Sequence, residues 1–354
     1  RQNHNLPHNV QAHSGLGSHH PNQYQLGIRK RRGVGLMQLV PIKSVDNLSR
    51  LNQVLDKGYK PPIPGLVKDG KDYVSDVDKA NVLNAHFASQ ADLHVPANHD
   101  TKASPPAPTS FLRSVKVTHR KVLRLLLSLD ESKTTGSDKV PASFLKAIAH
   151  ILCRPLAHIF SLSLKTGVFP DMWKIVDVVA LHKKKSKSDP GNYRPISLLS
   201  IMSKVFEHIV NDRLKRFLAP KLHQHQFGFR GGHQTLDLLS IMSQSWTNAL
   251  RARKEVRVVA LDISKAFDRV WHDGLIHKLE CMGVSGPLLA WLRSFLSGRT
   301  QRVVINGVGS DFLPMNAGVP QGSVLAPLLF LVFINDLFDN VQNCLDIFAD
   351  DSTL

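Results

Sequence analysis

Two apolar segments of this chain end in carboxylates, and that pattern constrains the fold more than any other feature. Val256 to Leu261 runs into Asp262, and Leu345 to Ala349 runs into Asp350 and Asp351, 88 residues after Asp262. Short apolar runs rich in Val and Ile read as strands, and the first is expected to be largely buried. An acid at the end of a buried strand is costly unless something compensates it. Two carboxylates about 4 Å apart repel by roughly 4 kcal/mol at an effective dielectric near 20. A divalent cation turns that repulsion into binding, and Mg²⁺ takes carboxylate oxygens together with substrate phosphates. Two ions about 3.5–4 Å apart hold both the attacking and the leaving oxygen of a phosphoryl transfer. The plain alternative is that Asp350-Asp351 is a β-turn, which aspartate favours.

The rest of the pattern is α+β. Helical spacing covers Asp76 to Phe87, Val117 to Leu129, and Phe144 to Leu164 with an interruption expected at Pro155. Ile201, Val205, Phe206, Ile209, Val210, Leu214 and Phe217 mark one face of a long helix, and a further helix covers Leu236 to Leu250. Short helices are expected near Gly274 to Cys281 and Leu288 to Phe295, and Trp173 to Leu181 reads as a strand. Asn306-Gly307, between Gln301–Ile305 and Val308–Leu313, is a strong hairpin signal. Helices and strands do not alternate regularly, so the expected sheet is antiparallel rather than doubly wound.

The chain carries 45 Lys+Arg against 28 Asp+Glu, a formal charge of +17. Such an excess favours a polyanionic partner, usually nucleic acid or an anionic membrane surface, although a ribosome-like or merely soluble basic protein has it too. Cys153, Cys281 and Cys344 form no CxxC pair, which excludes a disulfide framework or a cysteine zinc site. The longest apolar run, Val324 to Ile334, is too short to span a bilayer, so no membrane partner is expected. Residues 1–35 read as a disordered His-rich arm that ends in the basic cluster Arg29 to Arg32. Residues 36–110 read as a partly helical connector closed by the proline-rich stretch Pro96 to Pro108, and residues 111–354 as the main domain.

Phe348-Ala349-Asp350-Asp351 resembles the F/Y-x-D-D box of reverse transcriptases. Leu261 to His272, with Asp262, Ala266, Phe267 and Asp268, resembles the first aspartate box of the non-LTR (LINE-type) retrotransposon branch. Gly318-Val319-Pro320-Gln321-Gly322-Ser323 is similar to the box between those two. Upstream, Lys183-Lys184, Ser188 to Leu198, and Gln226-Phe227-Gly228-Phe229-Arg230 with Gly232 and Thr235 resemble further blocks of that branch. The order and spacing agree from about Val117 to the end, and the wording is nearest to jockey- and CR1-like elements.

That resemblance implies a right-hand polymerase with fingers and palm, an antiparallel palm sheet, and a thumb missing beyond Leu354. It implies an RNA-directed DNA polymerase with two Mg²⁺ ions, for which Mn²⁺ can substitute. The implied partners are an RNA template, a DNA primer and deoxynucleoside triphosphates; the implied place of work is the nucleus. Asp262 and Asp350 would be the principal metal ligands, with Asp351 and the Ile263 carbonyl in support. Lys183 (or its neighbour Lys184) and Arg194 would grip the triphosphate. Phe267 holds the sugar-gate position, where a ring clashes with a 2′-hydroxyl; core packing is its other reading. Gln321 would contact the nascent base pair or the template, and Gly322 would permit close backbone approach there. Arg230 either reaches template phosphate or is an exposed loop arginine, and Asp268 and His272 would support the box. Lys185, His233 and Ala326 depart from the family pattern, where Gly, Arg and Gly are usual. Two other functions stay open on sequence alone, an inactive nucleic-acid-binding remnant and an intron-maturase-like RNA binder.

Overall fold

The computed structural model describes residues 24–27, 38–41, 63–93, 108–339, 341 and 345–353. The chain forms two compact units, Arg1–Lys60 and Pro61–Leu354. In the first, β1 (Tyr24–Gly27) pairs antiparallel with β2 (Gln38–Pro41). The remainder of the expected arm, including Arg29 to Arg32, lies outside the described residues, as does the proline-rich stretch apart from Pro108.

The second unit opens with a short ribbon, β3 (Leu66–Lys68) and β4 (Lys71–Tyr73), followed by α1 (Asp76–Gln90). Ser75 caps α1 by accepting from the Asp78 N–H, one of the donors a helix start leaves unpaired. Ala80, Leu83 and Phe87 of α1 are buried with Val176, Val178, Val303 and Ile305. Beside them the Gln301 amide donates to Asn84 Oδ1, and Asn84 Nδ2 donates to the Asp311 carbonyl. The later part of the expected connector is therefore built into the same compact unit as residues 111–354.

The main core is helical. The helices of this unit after α1 are α2 (His119–Leu127), α3 (Ala142–Ala147), α4 (Ala149–Thr166), α5 (Ile201–Leu218), α6 (Thr235–Arg251), which stands outside that core, α7 (His272–Cys281), α8 (Gly286–Leu296) and α9 (Ala326–Ile334). Phe160 of α4 stacks on Phe206 of α5 at 4.3 Å, and Trp291 of α8 meets Phe206 edge-on. Each such ring, fully buried, contributes about 1.5–3 kcal/mol. The break expected at Pro155 falls instead at Ile148, and α4 runs through the proline. Pro155 and Ile151 lie on the exposed side, so the carbonyl that proline leaves unpaired can bond to water.

The strands are β5 (Ile175–His182), β6 (Tyr193–Leu198), β7 (Ala260–Asp262), β8 (Arg299–Ile305), β9 (Val308–Gly309), β10 (Leu313–Met315), β11 (Asp346–Phe348) and β12 (Asp351–Thr353). One sheet has the order β10-β8-β5-β6, with β9 also on β8; the other is β11-β12-β7. The second is antiparallel as expected, but the first is mixed, because β5 and β8 run parallel. The long excursion between them, which carries α5 to α8, supplies the chain length a parallel crossover needs.

The largely buried strand expected over Val256 to Asp262 is also corrected. It shrinks to three residues and is exposed, with Val259 at 49% and Leu261 at 51%. Its three residues pair with Asp351–Thr353 of β12, and β7 is an edge of its sheet. By contrast α9 is buried nearly throughout, as its all-apolar composition requires. Among the described residues no helix is long and apolar enough to cross a membrane.

Candidate active site

The hairpin β11–β12 turns through two residues, Ala349 and Asp350, with Phe348 paired to Asp351. The next ladder pairs Asp351 with Asp262 of β7. Directly opposed residues in an antiparallel pair have Cβ atoms about 4.5–5.5 Å apart on the same face. The two carboxylates are therefore neighbours by register, with Asp350 one residue away in the turn. The Asp351 carboxyl is pushed above the usual carboxylate range by burial, and further by Asp350 and Asp262, while Lys183 opposes the shift. The turn itself is strained: Ala349 sits at φ 59, the left-handed region that costs a non-glycine residue about 1–2 kcal/mol.

Lys183 lies at the end of β5, where its N–H donates to the Asn192 carbonyl. The loop it opens is tied by Asp189, which accepts from the Gly191 N–H, and by the Tyr193 hydroxyl, which donates to the Lys187 carbonyl. The charge of Lys183 is felt at Asp351, where it lowers the pKa against the other influences. Lys185, the departure from a family glycine, adopts φ 64, so this position keeps a glycine-like backbone with a lysine on it.

Arg194 stands opposite Leu181 on β6, and its charge reaches Asp268. Asp268 is buried, and burial raises its pKa; Gln321 Nε2 donates to its Oδ1 at 2.8 Å. The Gln321 side chain is thus held by the aspartate box. Around this pair the two boxes interlock: the Gly318 N–H donates to the Val270 carbonyl, the Val319 N–H to Phe267, and the Ser197 N–H to Gln321. His272 Nε2 meets the Gly318 carbonyl at 2.7 Å, and burial lowers the pKa of its imidazole. Gly322 has φ +119, and a Cβ there would come 2.8 Å from the Ser197 carbonyl oxygen, so only glycine fits.

Phe267 is half-buried, stacked on Phe330 of α9 at 4.9 Å with Phe229 edge-on at 6.0 Å. Gate and packing are compatible readings, because one face of the ring rests on the core while the residue stays partly exposed. Ile263, next to Asp262, packs partly against the same core. Arg230 turns inward instead: its NH1 donates to the His223 carbonyl at 2.7 Å and to the Gln226 carbonyl at 3.2 Å.

Sequence reasoning missed one residue that holds these boxes, Glu207, and gave no role to another, Gln226, that it had placed in a family-like block. Glu207 is fully buried on α5, where its Oε2 accepts from the Ser323 hydroxyl and the Val324 N–H. It thereby anchors the chain leading into α9, next to Gly322. The available signal was an acid in phase with the apolar face of α5. Gln226 is the second, a buried amide beneath the hairpin turn.

In chemistry the donor set fits a hard divalent cation, since it is made of carboxylate oxygens carrying mutual repulsion that a cation relieves. Among the described residues no group of three or more His, Cys, Asp or Glu side chains is placed to hold a metal ion, the three aspartates included. The arrangement suits an ion that draws its remaining ligands from phosphate and water, as Mg²⁺ does.

Residues 182–354 match the profile of a family described as reverse transcriptase (RNA-dependent DNA polymerase). Over 219 residues, 61% of this chain and 24% of the relative, the sequence is 38% identical to the probable RNA-directed DNA polymerase from transposon BS of Drosophila melanogaster. It is 35% identical over 224 residues, 62% of this chain and 24% of the relative, to the RNA-directed DNA polymerase from the fly mobile element jockey. The probable enzyme from transposon X-element of the same fly is 34% identical over 219 residues, 61% of this chain and 24% of the relative. The chain thus spans about a quarter of the length of these curated relatives.

Proposed function

We propose, from a chain whose residues 182–354 belong to the reverse transcriptase family, that it forms the fingers and palm of a non-LTR retrotransposon RNA-directed DNA polymerase. It would add deoxynucleotides to a DNA primer on an RNA template, acting in the nucleus where the element integrates. The observation that carries this reading is the register that sets Asp262 across from Asp351, with Asp350 in the adjoining turn and the charge of Lys183 at the same place.

Asp262 and Asp350 would hold two divalent ions, with Asp351 and the Ile263 carbonyl in support. The ions, Mg²⁺ or in substitution Mn²⁺, supply charge neutralisation at the attacking and leaving oxygens of the phosphoryl transfer. Lys183 binds the incoming triphosphate as a point charge, and Arg194 binds it with a planar fork. Phe267 excludes the 2′-hydroxyl, its ring backed by Phe330 so that it cannot yield. Gln321, oriented by Asp268, and Gly322 form the floor under the nascent base pair. Arg230, folded onto its own loop, contacts template phosphate from its exposed side. Catalysis of this kind is chiefly positioning and charge stabilisation, which rigid strand ends provide.

The test is Mg²⁺-dependent extension of a DNA primer on an RNA template by this chain and by a longer chain that continues past Leu354. Synthesis that disappears in Asp350→Asn supports the polymerase. Failure of the longer chain to synthesise, with RNA binding retained, would replace this reading with a nucleic-acid-binding remnant.

A further inference from the structure

We infer that Gln226 is a positioning residue that locks the Asp350–Asp351 turn from below. Gln226 is 1% exposed, so it is buried away from any surface that a substrate could reach. Its Oε1 accepts from the Ala349 N–H at 3.2 Å and from the Gly228 N–H at 2.9 Å. Its amide nitrogen meets no acceptor among the described residues, so the oxygen is the half of the side chain that the turn uses.

The turn requires such an acceptor. In a hairpin closed by two residues, the N–H of the first central residue takes no part in the ladder, and here that residue is Ala349, itself buried. A buried N–H without a partner is strongly disfavoured. Ala349 also sits at φ 59, a conformation that persists only where the surroundings over-determine it. Gln226 provides that determination, and Asp350 and Asp351 are the next two residues along the chain.

The residues around Gln226 give the lock its rigidity. The Phe227 N–H donates to the Ile347 carbonyl and the Ile347 N–H to the His225 carbonyl, so residues 225–227 run beside β11 as a bridge parallel to it. His225 pairs with Asp346 at 2.7 Å on the same strand. Arg230 closes the loop through the His223 and Gln226 carbonyls. Gly228 allows the approach, since a Cβ there would lie 2.2 Å from the Ala349 nitrogen. The segment is thus a cradle for the turn, and Gln226 is its contact with Ala349, the residue of the turn that has a left-handed backbone.

The catalytic consequence rests on the polymerase reading, but the positioning itself is measured without activity. Hydrogen–deuterium exchange on the full chain is read over residues 345–353 for the parent, Gln226→Met and Gln226→Glu. Met removes the acceptor at similar volume, and Glu keeps an acceptor oxygen in either protonation state. We expect exchange in that segment to quicken roughly three- to tenfold in Gln226→Met, the factor an ordinary hydrogen bond is worth. Protection should be restored in Gln226→Glu. Primer extension by Gln226→Met should show kcat reduced about 100-fold with KM for the primer–template unchanged, the signature of misplaced catalytic groups. Unchanged exchange over 345–353 in Gln226→Met overturns the proposal. So does a general loosening that Gln226→Glu fails to reverse, since Gln226 would then be ordinary packing. If the parent chain itself makes no DNA, the polymerase reading fails while the exchange result still decides the role of Gln226.

Discussion

Asp262 and Asp351 face each other across one rung of the β7–β12 ladder, and desolvation, then the charges of Asp350 and Asp262, raise the Asp351 pKa. Its pKa stands above the usual range, so the fold prefers it protonated relative to the unfolded chain. That contribution to stability is complete below the unfolded pKa, about 3.9, and is lost as pH rises through the folded value. Near neutral pH without divalent ions the fold therefore carries the cost of a partly desolvated carboxylate beside Asp350 and Asp262. Asp351→Asn is expected to raise the melting temperature there, and millimolar Mg²⁺ to raise that of the parent but not of Asp262→Asn. Thermal unfolding with and without Mg²⁺ checks both, and an Mg²⁺ response that survives in Asp262→Asn would count against these ligands.

The second prediction concerns Gly228. A methyl group there would be driven into the Ala349 backbone, displacing the turn that bears Asp350. Gly228→Ala is expected to lower primer extension by at least about 100-fold, as an ångström-scale misplacement does. Gly231→Ala, where the nearest atom is the Lys215 ammonium at 3.8 Å, is expected to behave like the parent in the same assay.

Phe267 is expected to set sugar selectivity. Replacing it with Val opens the space in front of Phe330 and should raise ribonucleotide incorporation relative to deoxynucleotide by roughly 10- to 100-fold. Competition between the two triphosphates in single-nucleotide extension measures the ratio. An unchanged ratio with a lowered melting temperature would reduce Phe267 to a packing residue.

Glu207 is expected to matter for stability. Glu207→Leu leaves the Ser323 hydroxyl and the Val324 N–H without their acceptor and deprives buried Arg299 of a compensating charge. The expected loss is about 3 kcal/mol or more. Glu207→Gln, which keeps an oxygen in place, is expected to lose about half of that. Urea denaturation of the three chains compares them.

A fifth prediction follows from His272. Burial lowers the pKa of its imidazole, so the fold favours the neutral form. The stability this brings is present above the unfolded pKa of about 6.5 and is lost as pH falls through the folded value. His272→Gln, which can still donate to the Gly318 carbonyl, is expected to flatten stability against pH on the acid side of neutrality.

By itself the sequence determined the elements whose cause is local. The apolar stripe of α5, the Asn306-Gly307 turn and the all-apolar α9 are where their periodicity and turn chemistry put them. Asp262 and Asp350-Asp351 were legible as strand-end acids in the same way. The tertiary structure decided what depends on partners distant in the chain. It decided that β5 lies parallel to β8, because no local signal encodes which strands become neighbours. It left Val256 to Val259 outside the ladder that Ala260 to Asp262 form with β12. It carried α4 through Pro155, because the exposed side of that helix lets water take the unpaired carbonyl. It brought Gln226 beneath Ala349 and Glu207 beneath Ser323, across 123 and 116 residues of sequence. Periodicity reports which face of an element is buried; which polar group a buried acceptor will meet is fixed only when the elements pack.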